Sequence, residues 1–185
     1  MSSLKIVMAV SKDGFVSFGP DDDMSWTGPD DKRAFRLLTA VGGVLGAGRR
    51  TFEMLPRLKG RRVVCLSTRP VMVENAAARE GQQFPFSDGP MPADAAYERA
   101  LTLGQFAHQH STGWLIGGQT VALEALAIGL VDQVFLCHAP VELHRFGRFD
   151  PRVAQRDLIS HRISTWSRQE RVSVGKTAVE VWRRK

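Results

Sequence analysis

The strongest constraint on this chain is a recurring order: a short apolar run, then a glycine or polar turn, then a helix-forming stretch. Residues 4–10 are almost wholly apolar and open into Ser11-Lys12-Asp13-Gly14, the pattern of a buried strand running into a turn. From Pro29 to about Val41 the spacing becomes helical. Pro suits the first helical position, and Ala34, Phe35, Leu37, Leu38 and Val41 fall on one stripe that Gly42-Gly43 ends. Val44 to Ala47 reads as a strand, Arg49 to Leu55 as a helix stopped by Pro56, and Val63 to Ser67 as another buried strand. Residues 69–92 are loop-like, with a strand expected around Gln82 to Ser87. Pro92 to about His110 has helical composition, Gly113 to Gly117 reads as a strand, Gln119 to Ile128 as a helix broken by Gly129, and Val131 to His138 as a strand. Beyond Val141 the helical period disappears, and Leu158 to Trp166 and Ala178 to Trp182 read as strands paired through Gly175. Alternating strands and helices imply an α/β class: a mixed, mostly parallel central sheet flanked by helices, with an antiparallel C-terminal hairpin. At 185 residues, with no repeat and no dividing linker, residues 1–185 are expected to form a single domain.

Composition narrows the functional classes. Hydrophobic residues at 43% and charged residues at 24% are ordinary globular usage, which argues against disorder or a coiled coil. A net charge of +6 favours anionic partners such as phosphates and carboxylates. The basic residues gather only at Arg49-Arg50, Arg57 to Arg62 and the last three positions, without interleaved aromatics, so nucleic acid is a disfavoured partner. Cys65 and Cys137 sit far apart inside apolar runs, as small hydrophobes do, and a disulfide framework is not expected. The N-terminal apolar stretch is too short to span a bilayer, and the expected location is the cytoplasm. His108, His110, His138, His144 and His161 are scattered, so no metal is expected. Cys137 and His138 are neighbours on one strand and point to opposite faces.

Four elements could carry chemistry. Asp30 and Asp31 follow Pro29, where carboxylates ordinarily stabilise a helix start. Asp31 also lies one turn before Phe35 and two before Leu38, which would set a carboxylate beside the apolar stripe, but Asp30 is as close to that stripe on its other edge. Helical geometry leaves the two level. Leu115-Ile116-Gly117-Gly118-Gln119-Thr120 delivers two glycines to a helix start, either as a tight turn or as a phosphate site, and it is not the Rossmann fingerprint. Gly48-Arg49-Arg50-Thr51 offers two guanidinium groups and a hydroxyl at another helix start. Leu58-Lys59-Gly60-Arg61-Arg62 and the strand ending in Ser67-Thr68-Arg69 place a turn-borne arginine and polar groups at a strand's carboxyl end, where ligands of open α/β sheets lie.

Taken in order, Met24-Ser25-Trp26, Asp31, Phe35, Thr39, Gly48-Arg49-Arg50-Thr51, Leu58-Lys59-Gly60-Arg61, Leu66-Ser67 and Ile116-Gly117-Gly118 resemble the dihydrofolate reductase family over about residues 4–150. Asp13-Gly14-Phe15-Val16 and Gly129 to Pro140 also resemble the reductase domain of riboflavin biosynthesis, which shares that fold. The resemblance implies an NADPH-dependent reductase acting on a small molecule, and it breaks the tie between the two carboxylates. The family acid lies four residues before a Phe and eight before a Thr, which here is Asp31. By the same matching, Asp31 would bind the pterin and promote protonation of N5 through water, with Trp26 helping to hold that water. Met24 would belong to the mobile loop over the nicotinamide, which the Ala9 backbone and Val16 would border. Arg49, Arg50 and Thr51, with Ser67, Thr68 or Arg69, would hold the cofactor phosphates after Gly48. Gly117-Gly118 would form a cis peptide, with Gln119, Thr120 and Val121 at the pyrophosphate. Phe35, Leu55 and Leu58 would enclose the aromatic part of folate, with Ile116 and Cys137 in the same pocket, and Arg61 would grip the glutamate carboxylate.

The chain departs from the family at Lys32, where an apolar pocket residue is usual, at Cys137, where a Thr normally bonds the acid, and at Ala122, which replaces a common Tyr. These departures keep open another NADPH reductase on the same fold, acting on a pyrimidine sugar phosphate or a pterin. A basic binding module without catalysis is a third reading, motivated by charge alone.

Overall fold

The computed structural model describes residues 3–40, 43–55, 58, 60–68, 71–72, 97–98 and 101–185. Its centre is a seven-stranded sheet built from β1 (Leu4–Val10), β3 (Leu45–Gly48), β4 (Val63–Leu66), β7 (Trp114–Leu115), β8 (Val131–His138), β10 (Ser167–Val174) and β11 (Thr177–Arg183). Their order across the sheet is β10-β11-β8-β1-β7-β3-β4. β1 pairs in parallel with β7 and β8, and β3 in parallel with β7 and β4, while β11 runs antiparallel to both β8 and β10. The mostly parallel sheet with its antiparallel C-terminal hairpin is therefore the architecture the sequence implies. Two small pairs lie outside it: β2 (Phe15–Ser17) with β9 (Gln155–Arg156), and β5 (Val71–Met72) with β6 (Tyr97–Glu98).

Strand alternation sends successive side chains to opposite faces and so builds two cores. Ile6, Met8, Val134 and Leu136 face one side, where Leu103, Phe106 and Ala107 of α3 (Leu103–Gln109), Ala122 and Ala125 of α4 (Gln119–Ala127) and Ile159 of α5 (Ile159–Arg162) cover them. Val7, Cys137 and Val179 face the other side with Ala34 of α1 (Gly28–Thr39) and Phe52 of α2 (Arg49–Met54). Each large side chain fully buried this way contributes about 2 kcal/mol of transfer free energy.

Three sequence expectations are corrected. The helix expected from Pro92 to His110 is, in its described part, strand at Tyr97–Glu98 and helix only from Leu103. The helix starts there because Thr102 and Gln105 form a reciprocal capping box, with the Gln105 N–H donating to Thr102 Oγ1 and the Thr102 N–H to Gln105 Oε1 at 2.9 Å. The strand expected over Leu158 to Trp166 is instead the short helix α5, whose start is capped by Asp157 accepting the Ile159 and Ser160 N–H groups at 2.9 and 3.1 Å. The hairpin does turn at Gly175, but its first strand begins at Ser167. The strand expected around Gln82 to Ser87, Val41 and Pro56 lie outside the described residues.

Candidate active site

Parallel strands bring their carboxyl ends to one edge, and there Ala9, Gly48, Ser67, Ile116 and Cys137 converge from β1, β3, β4, β7 and β8 or just beyond them. Ala9 and Cys137 are direct partners in the ladder. α1 enters this edge from a short helical turn at Ser25–Thr27, with Gly28 at φ 79° and proline in its first turn.

The two carboxylates that periodicity leaves level have separate surroundings. Asp30 Oδ2 accepts the backbone N–H of Lys176 at 2.8 Å, in the turn joining β10 and β11. Gly175 in that turn has φ 59°, and a Cβ there would run into the Asp30 carboxyl. Asp30 is thus a fastening between α1 and the hairpin. Asp31 is buried instead. Burial pushes its carboxyl up to about 6, against the hydrogen bond of the Thr27 hydroxyl and the charge of Lys32, both of which favour the anion. Cys137 lies close enough that the Asp31 charge, added to burial, pushes its thiol up as well. Cys65 is buried too, its thiol raised to about 11, and both cysteines are free.

Phe35, Leu55, Leu58 and Ile116 are half-buried and pack against the cluster that holds Val7, Ala34, Cys137 and Val179. They therefore line the sheet face on which Cys137 and Asp31 meet. Arg61 stands by the end of α1, its guanidinium 5.7 Å from the Phe35 ring centroid and one nitrogen donating to the Arg36 carbonyl at 3.0 Å.

The two glycine-bearing helix starts abut. The Gly117-Gly118 peptide is cis, as the family resemblance implies, and the Gly48 N–H donates to the Gly117 carbonyl at 2.8 Å. A Cβ on Gly48 would come within 3.1 Å of Val121 and 3.3 Å of the Gly118 nitrogen, and one on Gly117 within 3.0 Å of Thr51. Only glycine lets α2 and α4 start this close together, and at the head of α4 the Val121 and Ala122 N–H groups both turn to the Gly118 carbonyl, at 3.1 and 3.3 Å. Arg49 and Arg50 are exposed at the start of α2, Arg49 paired with Glu53 at 3.2 Å. Ser67 and the exposed Thr68 follow β4, and Arg69 lies outside the described residues. Thr120 is exposed and Val16 is buried in the core.

Two expected side-chain roles are redirected. The Gln119 side chain is buried, its Nε2 donating to the Arg156 carbonyl at 3.0 Å and its Oε1 accepting the Leu158 N–H at 2.7 Å. It anchors the segment before α5 and leaves only its backbone at the helix start. Trp26 is buried with its indole N–H on the Asp22 carboxylate at 3.0 Å, so its one donor is spent there rather than on a water beside Asp31.

Asp22 itself was hidden in the polar run Gly-Pro-Asp-Asp-Asp. It is buried and also accepts the N–H groups of Phe18 at 2.9 Å and Met24 at 2.7 Å, so it fixes the loop in which Met24 sits at φ 57°. Its signal is the Asp-x-Met-x-Trp spacing, since aspartate readily accepts from the backbone two residues on. Arg148 is a second such group, donating to Asp23 at 3.0 Å and Ser25 at 3.2 Å while lying 4.8 Å over the Phe18 ring. Among the described residues no cluster of His, Cys, Asp or Glu could hold a metal, and no helix is long and apolar enough to cross a membrane.

A family model described as dihydrofolate reductase matches residues 3–138. The chain belongs to the dihydrofolate reductase family and is an oxidoreductase of that family. A search of curated proteins gives no match.

Proposed function

We propose that the protein reduces dihydrofolate to tetrahydrofolate with NADPH, and that Asp31 manages the proton. The observation that carries this reading is the buried Asp31 carboxyl, raised to about 6 beside the face lined by Phe35, Leu55, Leu58, Ile116 and Cys137. A carboxyl with that midpoint retains a protonated fraction near neutral pH, and in its ionised form it accepts N–H donors from a pterin amino group and ring N3. The apolar wall keeps bulk water from the ring and strengthens both interactions.

The glycine junction fits a nucleotide phosphate, because it joins two helix starts to the Arg49 and Arg50 guanidiniums and the Thr51 hydroxyl. When bound, NADPH supplies the hydride received by C6 of the substrate. Arg49, Arg50 and Thr51, with Ser67, Thr68 or Arg69 and the backbone at Gly117, Gly118, Gln119, Thr120 and Val121, would hold its phosphates. The Ala9 backbone, Val16 and Met24 would hold its nicotinamide end, and Trp26, held by Asp22, would wall the site. Arg61 turns its remaining donors to the carboxylate tail of the substrate.

Cys137 and Lys32 favour a second reading in which the same site takes another pterin or a pyrimidine sugar phosphate. The Cys137 thiol is a weak donor, so Asp31 draws less support from β8 than a hydroxyl would give it. Side-by-side assays of NADPH consumption with dihydrofolate and with a ribityl-phosphate pyrimidine test the choice. Turnover of dihydrofolate that collapses in Asp31→Asn is the expected result, and turnover of the pyrimidine alone would replace it with the second reading.

A further inference from the structure

Gln119 opens α4 directly after the cis Gly117-Gly118 peptide, yet its side chain is engaged with a distant part of the chain. It is buried, its Nε2 donates to the Arg156 carbonyl at 3.0 Å, and its Oε1 accepts the Leu158 N–H at 2.7 Å. A residue in a parallel ladder bonds the carbonyl and the N–H of the two residues that flank its opposite number. The Gln119 amide makes that same pair of bonds to the residues on either side of Asp157. It takes the place of a neighbouring strand.

The segment held in this way is the outer support of β2. Phe15 pairs with Arg156 and Ser17 with Gln155, the Asp157 N–H donates to the Gly14 carbonyl at 2.9 Å, and the Arg156 guanidinium lies 4.7 Å over the Phe15 ring. The side chains of Gln155, Arg156 and Leu158 are all exposed, so burial does not fix the segment. Its backbone does, bonded to β2 and the turn before it on one side and to Gln119 on the other. Ser11 secures the start of β2, its N–H donating to the Phe15 carbonyl and its Oγ accepting the Phe15 N–H, both at 2.8 Å. Ile159 is sealed in the core just beyond the segment. The hold of Gln119 falls between these two fixed points.

We propose that Gln119 is a positioning residue that sets β2, and with it Val16, against the start of α4, so that its side chain governs the nicotinamide end of NADPH from the phosphate end. The contacts are continuous: Gln119 holds the backbone at Arg156 and Leu158, β9 pairs with β2, and Val16 is the middle residue of β2. Both ends of the Gln119 amide are engaged with backbone 37 and 39 residues away, so the side chain acts on the cofactor through β2. The proposal rests on the reading of Val16 as a border of the nicotinamide.

Hydrogen exchange on the full chain without ligand, and binding of NADPH and of 2′-phospho-ADP-ribose, which lacks the nicotinamide, test it in wild type, Gln119→Met and Gln119→Glu. Gln119→Met keeps the length of the side chain and removes both hydrogen bonds. In that variant the amides of β2 and of Asp157 should exchange roughly tenfold faster, with those late in α4 unchanged. Its Kd for NADPH should rise roughly tenfold, while that for 2′-phospho-ADP-ribose stays within about twofold. Gln119→Glu keeps an acceptor for the Leu158 N–H, should fall between Gln119→Met and wild type, and carries the comparison if Gln119→Met does not fold. Equal weakening of both ligands, or weakening of neither, overturns the proposal. A wild type that binds no NADPH overturns the proposed reaction and the role given to Gln119 together, whereas unaltered exchange in β2 overturns that role alone.

Discussion

The two faces of the central sheet are built from the same strands and finished differently. On the face covered by α3, α4 and α5, Phe106, Leu115, Val134, Leu136, Ile159 and Ile163 are sealed from solvent. On the face covered by α1 and α2, Phe35, Leu38, Leu55, Leu58 and Ile116 remain half-buried, and a carboxyl and a thiol lie among them. Half-buried apolar residues also fringe the first face, Val121 and Trp166 among them, but no titratable side chain lies in its cluster. The second sets its half-buried residues beside a titratable group, and an apolar recess with a few convergent polar groups is the usual form of a small-molecule site.

The contrast breaks most easily at its largest expected effect. Phe106→Ala should cost about 4 kcal/mol of stability, because it empties a sealed core, whereas Phe35→Ala should cost about 1 kcal/mol and instead raise the KM for substrate roughly tenfold. Urea unfolding and steady-state kinetics on both variants measure this. Equal stability losses would erase the distinction between the faces.

Asp31 sharpens the comparison, because its burial works against the fold. Its midpoint rises from 3.8 unfolded to about 6 folded. Below the lower value both states are protonated. Between the two the folded chain holds the proton more tightly, so stability falls as pH rises, and above about 6 the loss is complete. Asp31→Asn should therefore exceed wild type by about 3 kcal/mol at pH ~7.5 and match it near pH ~3, by urea unfolding at both. A variant less stable than wild type at the higher pH would mean that the buried anion is well supported.

The smallest expected effect belongs to the neighbouring carboxylate. Asp30→Ala removes the acceptor for the Lys176 N–H and should cost about 1 kcal/mol while leaving turnover within roughly twofold. A large loss of turnover with little change in stability would move the chemistry to Asp30.

That pair of residues also shows what a sequence reading can reach. Apolar runs placed β1, β3, β4 and β8 because strand burial is written in consecutive residues, and Pro29 and Gly175 marked a helix start and a turn through their own backbone preferences. The choice between Asp30 and Asp31 is not local. It depends on Lys176, 146 residues away, and on Cys137 from β8. The partners of Gln119, Arg156 and Leu158, show in no local motif, whereas the partner of Trp26 is Asp22, four residues earlier in the Asp-x-Met-x-Trp spacing. Ile159 and Ile163 suit a strand or a helix equally, and the Asp157 carboxylate that accepts the Ile159 and Ser160 N–H groups decides for the helix α5.

The most direct measurement is kcat/KM for dihydrofolate with saturating NADPH from about pH 5 to about pH 8, in wild type and Asp31→Asn. Wild type should lose activity through a midpoint near 6, approaching tenfold per pH unit above it, and Asp31→Asn should be far slower and flat over the same range. A wild-type profile flat through that midpoint, or an Asp31→Asn variant that keeps wild-type turnover, would contradict the assignment of Asp31 as the group that manages the proton.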